Sequence, residues 1–158
     1  MEFKELIRSF GADVGIADLA PGPEGICTLN IDDMKVSFME VPENNQLVTW
    51  ATVGELPPEG RERLYRALIE AMFMGQATGG AVFSIQPNTE KLQLHRVDPL
   101  QLTDLASFKT MLENFANLLE QWRKLIVQYN AAAPKIVADE AAAVEESRQF
   151  GLGGFMQV

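Results

Sequence analysis

The side chains that could carry acid–base or metal chemistry are few in this chain and far apart. The 158 residues include one histidine, His95, and one cysteine, Cys27. A zinc site needs about four histidine, cysteine or carboxylate ligands, and a histidine-activated nucleophile needs an imidazole beside it. We therefore interpret His95 as an ordinary surface or core histidine, and we expect neither a metal site nor a cofactor.

Adjacent carboxylates occur at Asp32-Asp33, Asp139-Glu140 and Glu145-Glu146. The first pair has the composition of a hairpin turn, and the other two fall in a polar stretch near the carboxyl end, so turn formation and solvation explain them. The glycine-rich points lack the Lys-Ser/Thr ending of a phosphate loop and the G-x-G-x-x-G of a dinucleotide site. The sequence favours a protein without catalysis, with an enzyme built on an atypical carboxylate site as an open alternative.

The charge of the chain argues against nucleic acid and membranes as partners. With 22 acidic against 13 basic side chains the formal net charge is -9, so the chain has few groups with which to neutralise phosphates. Cys27 alternates with Leu29 and Ile31, which predicts a buried free thiol and suits a reducing compartment. A basic leader followed by an apolar run is not found, nor is an apolar stretch long enough to span a membrane. We expect a cytoplasmic protein.

Hydrophobic periodicity predicts the order helix, three strands, helix, two strands, helix. The first helix places Phe3, Leu6, Ile7 and Phe10 on one face. The third strand has apolar residues on both faces, with Leu47, Ala51 and Val53 on one and Val48 and Trp50 on the other. Such a strand is typical of a sheet covered on both sides. The remaining predicted segments are 27–31, 34–38, 61–76, 81–86 and 92–97.

The last predicted helix runs from Thr103 to Asn130 and is the strongest periodic signal in the chain. At about 1.5 Å per residue it would measure roughly 40 Å, which is about the diameter of the whole domain. Thr103 or Asp104 can cap it. Beyond Pro134 the composition changes to alanine and acidic residues and ends in an apolar, glycine-rich stretch, so we predict a domain over residues 1–133 and a mobile tail over 134–158.

The order of elements, the size and the acidic balance resemble the class I type III secretion chaperones, the Tir chaperone-like family. The likeness covers about residues 2–132. It is carried by the first helix, the run Ile26–Ile31 with its hairpin, Thr78-Gly79-Gly80-Ala81, Leu92-Gln93-Leu94, and the final helix with Phe115 and Trp122. The resemblance implies an α+β fold in which a twisted, mainly antiparallel sheet is packed by helices. It does not cover the segment after Pro134.

The same resemblance implies a function and its partners. It implies a cytoplasmic bacterial homodimer that binds the N-terminal region of a secreted effector and keeps it soluble and ready for the export machinery, without ATP. The alternative is a related regulatory or sensory domain that binds another protein. Such chaperones pair through the middle helix and the neighbouring strand, which makes dimer candidates of Leu64, Leu68, Met72, Phe73, Val82 and Phe83. For the effector we expect grooves lined by Phe3, Ile7, Val48 and Trp50, together with a sheet edge that accepts an added strand.

Overall fold

The computed structural model describes residues 2–153, and for residues 149–153 it describes the backbone alone. The helices and strands follow the predicted order, which confirms the α+β fold. Short 3-10 turns lie at Pro42–Asn44, Phe73–Gly75 and Leu100–Leu102. The main elements are α1 (Phe3–Asp13), β1 (Ile26–Ile31), β2 (Met34–Val41), β3 (Gln46–Glu55), α2 (Arg61–Ala71), β4 (Val82–Ile85), β5 (Lys91–Pro99) and α3 (Leu105–Gly153).

The five strands form one antiparallel sheet in the order β1-β2-β3-β5-β4. Asp32 and Asp33 form a two-residue turn between β1 and β2, and Ile31 pairs with Met34 across it. Asp32 has a positive φ of 54°, which aspartate tolerates better than most residues. The order leaves β1 and β4 as the two edges of the sheet.

One face of the sheet carries the hydrophobic core, and α1 and α3 cover it. Phe108 of α3 lies between α1 and β2. Its ring is edge-on to Phe10 of α1 and to Phe38 of β2, with 5.2 Å and 5.4 Å between the ring centroids. Leu47 and Ala51 of β3 point to the same side and are buried. This layer of aromatic and aliphatic side chains holds the helices on the sheet.

The opposite face of the sheet is not covered in the same way. Val48 and Trp50 of β3 alternate with the buried residues and are half-buried. Within residues 2–153, the expectation that β3 is covered on both sides is therefore wrong, because α1 and α3 both pack on the Leu47 side. We call the less covered side the open face of the sheet.

The helix α3 is longer than its periodicity predicts, because it continues from Leu105 through Pro134 to Gly153. At its start Asp104 accepts a hydrogen bond from the Ser107 amide at 2.8 Å, and this bond lowers the pKa of the Asp104 carboxyl. A proline inside a helix costs about 3 kcal/mol, since Pro134 cannot donate to the Asn130 carbonyl. The helix thus crosses the predicted boundary at 133/134, and residues 154–158 of the predicted tail lie outside the described residues.

Candidate protein-binding surfaces

The groups considered for catalysis do not form one site, and His95 and Asp33 each have a structural partner. The Nδ1 atom of His95 lies 3.2 Å from the Ser84 hydroxyl, and burial lowers the pKa of the imidazole. Asp33 pairs with Arg123 at 3.0 Å, and this hydrogen bond lowers the pKa of the Asp33 carboxyl. Burial raises the pKa of the Cys27 thiol. Among residues 2–153, no group of three histidine, cysteine or acidic residues could hold a metal ion.

The predicted dimer residues divide into buried and exposed ones. Leu64 and Leu68 are only 3% and 4% exposed, so they belong to the core of their own chain and cannot reach a partner in this conformation. Phe73, by contrast, is 71% exposed, and Val82 is exposed as well. Met72 and Phe83 are half-buried. The sequence predicts one helix over residues 61–76, which contains Leu64, Leu68 and Phe73. The helix α2 ends at Ala71, however, so Phe73 lies beyond it.

Apolar side chains remain exposed where α2 passes the edge strand β4. We call Ile69, Phe73, Met74 and Ile85 the α2–β4 surface; all four are exposed, Ile69 by 65%. A cavity of about 190 Å³ opens between the helix and the strand, beside Ile69 and Ile85. Its lining includes Tyr65, Ile69, Met72, Phe83 and Ile85. Exposed large apolar side chains around an apolar cavity are typical of a protein-binding site.

The turn after α2 is held in a specific conformation that presents Phe73 and Met74. Met74 has a positive φ of 56°, a backbone conformation that L residues rarely adopt. The indole nitrogen of Trp122 donates to the Ala77 carbonyl at 3.2 Å, and the Trp122 ring lies edge-on to Phe83 at 4.8 Å. These contacts anchor the turn to α3 and β4, so Phe73 projects from an ordered segment.

The open face of the sheet carries a row of apolar side chains across four strands. The register places Ile26 opposite Met39, Met39 opposite Val48, and Val48 opposite Val97. Val97 is exposed and the other three are half-buried. Neighbouring strands lie about 4.8 Å apart, so the row is about 14 Å long. The next row continues with Trp50, His95 and Val82.

The edge strand β1 offers backbone groups to an added strand. The Ile26 carbonyl accepts a hydrogen bond from the Gly22 amide at 2.8 Å, so it points away from β2. Backbone groups alternate in direction along a strand, and those of Thr28 and Asn30 therefore point outward in the same way. This edge is suited to pairing with an extended peptide.

The four residues predicted to bind the effector lie in two different places. Val48 and Trp50 are half-buried on the open face. Phe3 and Ile7 are buried in the core under α1. They were expected to line a groove because an amphipathic helix has one apolar face, but that face is the one that packs on the sheet.

Several exposed or half-buried apolar residues were missed by sequence reasoning. Ile69 and Ile85 border the cavity, and Met39 and Val97 lie beside Val48 on the open face. Once the register is known, strand alternation places Met39 and Val97 on the same face as Val48, so this signal could have found both. Ile69 carries no such signal, because its neighbour Leu68 is as apolar and is buried.

Solved structures with a similar fold include complexes of chaperones. The ExsC-ExsE complex matches with a TM-score of 0.68 at 22% identity, over 80% of this chain and 97% of that chain. The HopA1-SchA chaperone-effector complex matches with a TM-score of 0.65 at 12% identity, over 77% and 93% of the two chains. The Yersinia pestis type III secretion chaperone SycH, in complex with a fragment of YscM2, matches with a TM-score of 0.61 at 15% identity, over 77% and 99%. At these identities the likeness is one of fold.

The family follows from the sequence rather than from the fold. No curated protein sequence matches the chain significantly. Within residues 2–153, no helix is both long and apolar enough to cross a membrane. A sequence model of the Tir chaperone protein family, also called the CesT family, matches residues 5–123. This match takes in every element from α1 to the middle of α3, and the chain belongs to the Tir chaperone protein (CesT) family.

Proposed function

We propose that this protein is a cytoplasmic type III secretion chaperone that binds the N-terminal region of a secreted effector. Binding keeps the effector soluble and competent for export, without ATP and without catalysis. The observation that carries this proposal is the combination of a chaperone family with two apolar surfaces that the described part of the chain leaves exposed. A protein that only needed to be stable would bury such surfaces or make them polar.

The α2–β4 surface is best explained as the contact between two copies of the chain. Its apolar cavity lies next to Phe73, an apolar side chain of suitable size on the same surface, and a two-fold axis repeats each contact. Burying a large apolar side chain contributes about 1.5–3 kcal/mol, so eight half-exposed side chains from two subunits give about 6–12 kcal/mol. Association costs about 4–15 kcal/mol. The two estimates are comparable, which predicts that polar contacts at the margin also contribute.

The open face and the β1 edge are best explained as the effector site. An effector segment in extended form can add to β1 through the outward backbone groups of Thr28 and Asn30. The apolar row through Val48, with Trp50 beside it, can hold apolar side chains of the same or a following segment. Backbone pairing accepts many sequences while apolar contacts add affinity, as a chaperone for a partly extended client requires.

Co-purification tests the proposal. The chain is co-expressed with an effector encoded by a neighbouring gene, and in parallel with the same effector lacking its N-terminal region. We expect a stable complex in the first case only, with the same dissociation constant in the presence and absence of ATP. Equal binding of the shortened effector would contradict recognition of the N-terminal region.

The same experiment separates the alternatives. A regulatory or sensory domain of this family would form a stable complex with a protein that is not exported. An enzyme would act on its partner catalytically, and one acidic substitution such as Asp33→Asn would abolish turnover. Substitution of His95, Asp32 and Asp33 without loss of effector binding agrees with a chaperone that has no catalytic group.

A further inference from the structure

The helix α2 has few contacts of its own with the rest of the chain. Of its 11 residues, Leu64 and Leu68 are the buried ones. A short amphipathic helix depends on tertiary packing for its position. Two buried side chains therefore fix the orientation of α2 only weakly. Other contacts must hold the helix in place.

The far half of α3 supplies such contacts at the N-terminal end of α2. The Tyr129 hydroxyl donates a hydrogen bond of 2.6 Å to the carbonyl of Gly60, the residue that precedes α2. The Asn130 amide nitrogen donates a bond of 2.8 Å to the Glu55 carbonyl at the end of β3. Ala133 is 1% exposed. Together these residues fasten the connection between β3 and α2 to α3.

The contacts continue past Pro134. A Cβ atom built on Gly60 would lie 3.5 Å from a methyl group of Val137 and 3.6 Å from the Ala133 methyl, so Val137 packs closely over Gly60. One turn further, Glu140 pairs with Arg63 on the first turn of α2 at 2.8 Å. The helix thus extends across a proline to a set of partners on the start of α2.

This part of α3 lies beyond the region that defines the family. The family match ends at residue 123. The ExsC-ExsE structure is covered over 97% of its own chain while it covers 80% of this one. The opposite end of α2 is held within the matched region, through Trp122 and Ala77. At the start of α2, Arg61 pairs with Glu90 at 2.7 Å, which also lies within the matched region. Residues 129–140 add a second attachment there.

We propose that residues 129–140 act as an anchor that fixes the N-terminal end of α2, and so orients the α2–β4 surface for pairing with a second copy of the chain. The second clause rests on the proposed homodimer; the first does not. The anchor lies outside the α2–β4 surface. Dimer affinity should then depend on residues that make no contact with the partner subunit.

Amide hydrogen exchange of residues 61–71 tests the anchor in the full-length chain. Val137→Asp places a charge against Gly60, and we expect exchange in α2 to become about 5- to 10-fold faster. Val144→Asp is the matched control, because Val144 lies two turns further along the same helix and is exposed. It should change exchange less than about twofold. Tyr129→Phe, which removes one hydroxyl, is a milder second variant and should give a smaller acceleration of the same sign.

The dimer dissociation constant of the same three variants, measured by analytical ultracentrifugation, tests the consequence. We expect it to rise at least about twofold with Val137→Asp, because fewer chains then hold α2 in the orientation that pairs, and to stay unchanged with Val144→Asp. Unchanged exchange in both Val137→Asp and Tyr129→Phe would overturn the anchor. Faster exchange with an unchanged dissociation constant would overturn the link to dimerisation. If the native chain is a monomer at all concentrations, the proposed homodimer fails, while the exchange experiment still decides whether the anchor exists.

Discussion

The two faces of the sheet carry similar side chains but have different surroundings. On β2, Phe38 points into the core and is fully buried, while its neighbour Met39 lies half-buried on the open face. On β3, Leu47 and Val48 differ in the same way. Strand alternation places these residues on opposite faces, but only the layer of α1 and α3 makes one face a core. Apolar character in this chain therefore serves folding on one face and, we propose, binding on the other.

The largest expected effect that tests this comparison is on stability. Phe38→Ala should lower the free energy of unfolding by about 3–5 kcal/mol, because it removes a fully buried ring that contacts Phe108. Met39→Ala, one residue away, should lower it by less than about 1 kcal/mol, since it is only half-buried. Denaturant unfolding of both variants measures the difference. Similar losses for both would show that the open face is part of the folding core.

The second effect concerns the α2–β4 surface. Phe73→Asp should raise the dimer dissociation constant at least about 100-fold, because it places a charge among apolar groups at the centre of the proposed contact. Leu102→Asp is the control, since Leu102 is a similarly exposed apolar residue that lies outside the α2–β4 surface. Sedimentation across a range of concentrations measures both. A dimer unaffected by Phe73→Asp would place the contact elsewhere.

The third effect concerns client binding on the open face. Trp50→Ala should weaken effector binding about 10- to 100-fold while it leaves the midpoint of unfolding nearly unchanged, because the half-buried indole supports binding more than the core. Val127→Ala, an exposed apolar position on α3, should leave binding unchanged. Titration calorimetry with the N-terminal region of the effector measures both. Native affinity in Trp50→Ala would exclude Trp50 from the effector site.

The smallest effect is a pH dependence that arises from His95. Burial lowers the pKa of His95 in the folded chain below its ordinary value of 6.5, so the unfolded chain binds the extra proton more readily. The stability contributed by the neutral imidazole is thus present above pH 6.5 and is lost as the pH falls through that value. His95→Gln should reduce the slope of stability against pH between about pH 7.5 and 5.5. An identical slope in the variant would mean that other groups cause the dependence.

Much of the fold could be predicted from the sequence, because local patterns determine it. The alternation of Cys27, Leu29 and Ile31, the turn at Asp32-Asp33 and the spacing of apolar residues in α3 each identify an element. Phe73 and Val82, which the sequence offered as dimer candidates, are exposed, and Val48 and Trp50 lie on the open face; whether they bind a partner stays a prediction. The sequence could not show that Phe3 and Leu64 are core residues and not binding residues, because periodicity identifies an apolar face without showing what lies against it.

Two features show where local rules are insufficient. The turn that begins at Met72 redirects the chain, so Phe73 is exposed although Leu68, five residues earlier, is buried. Pro134 should end a helix, yet α3 continues past it, and Val137 and Glu140 then contact the start of α2. In both cases contacts between residues distant in sequence outweigh a local preference of a few kcal/mol.

By itself, the sequence determined the order of the elements, the family and the scarcity of reactive groups, since these depend on residue types and on spacings within one helix or strand. The tertiary structure decided which apolar residues form the core and which remain exposed, and how far α3 extends. The physical reason is that burial depends on the element packed against a residue, and that element comes from a distant part of the chain. Leu68 and Ile69 are neighbours of similar hydrophobicity, and only the packing of α2 makes one a core residue and leaves the other exposed on the α2–β4 surface.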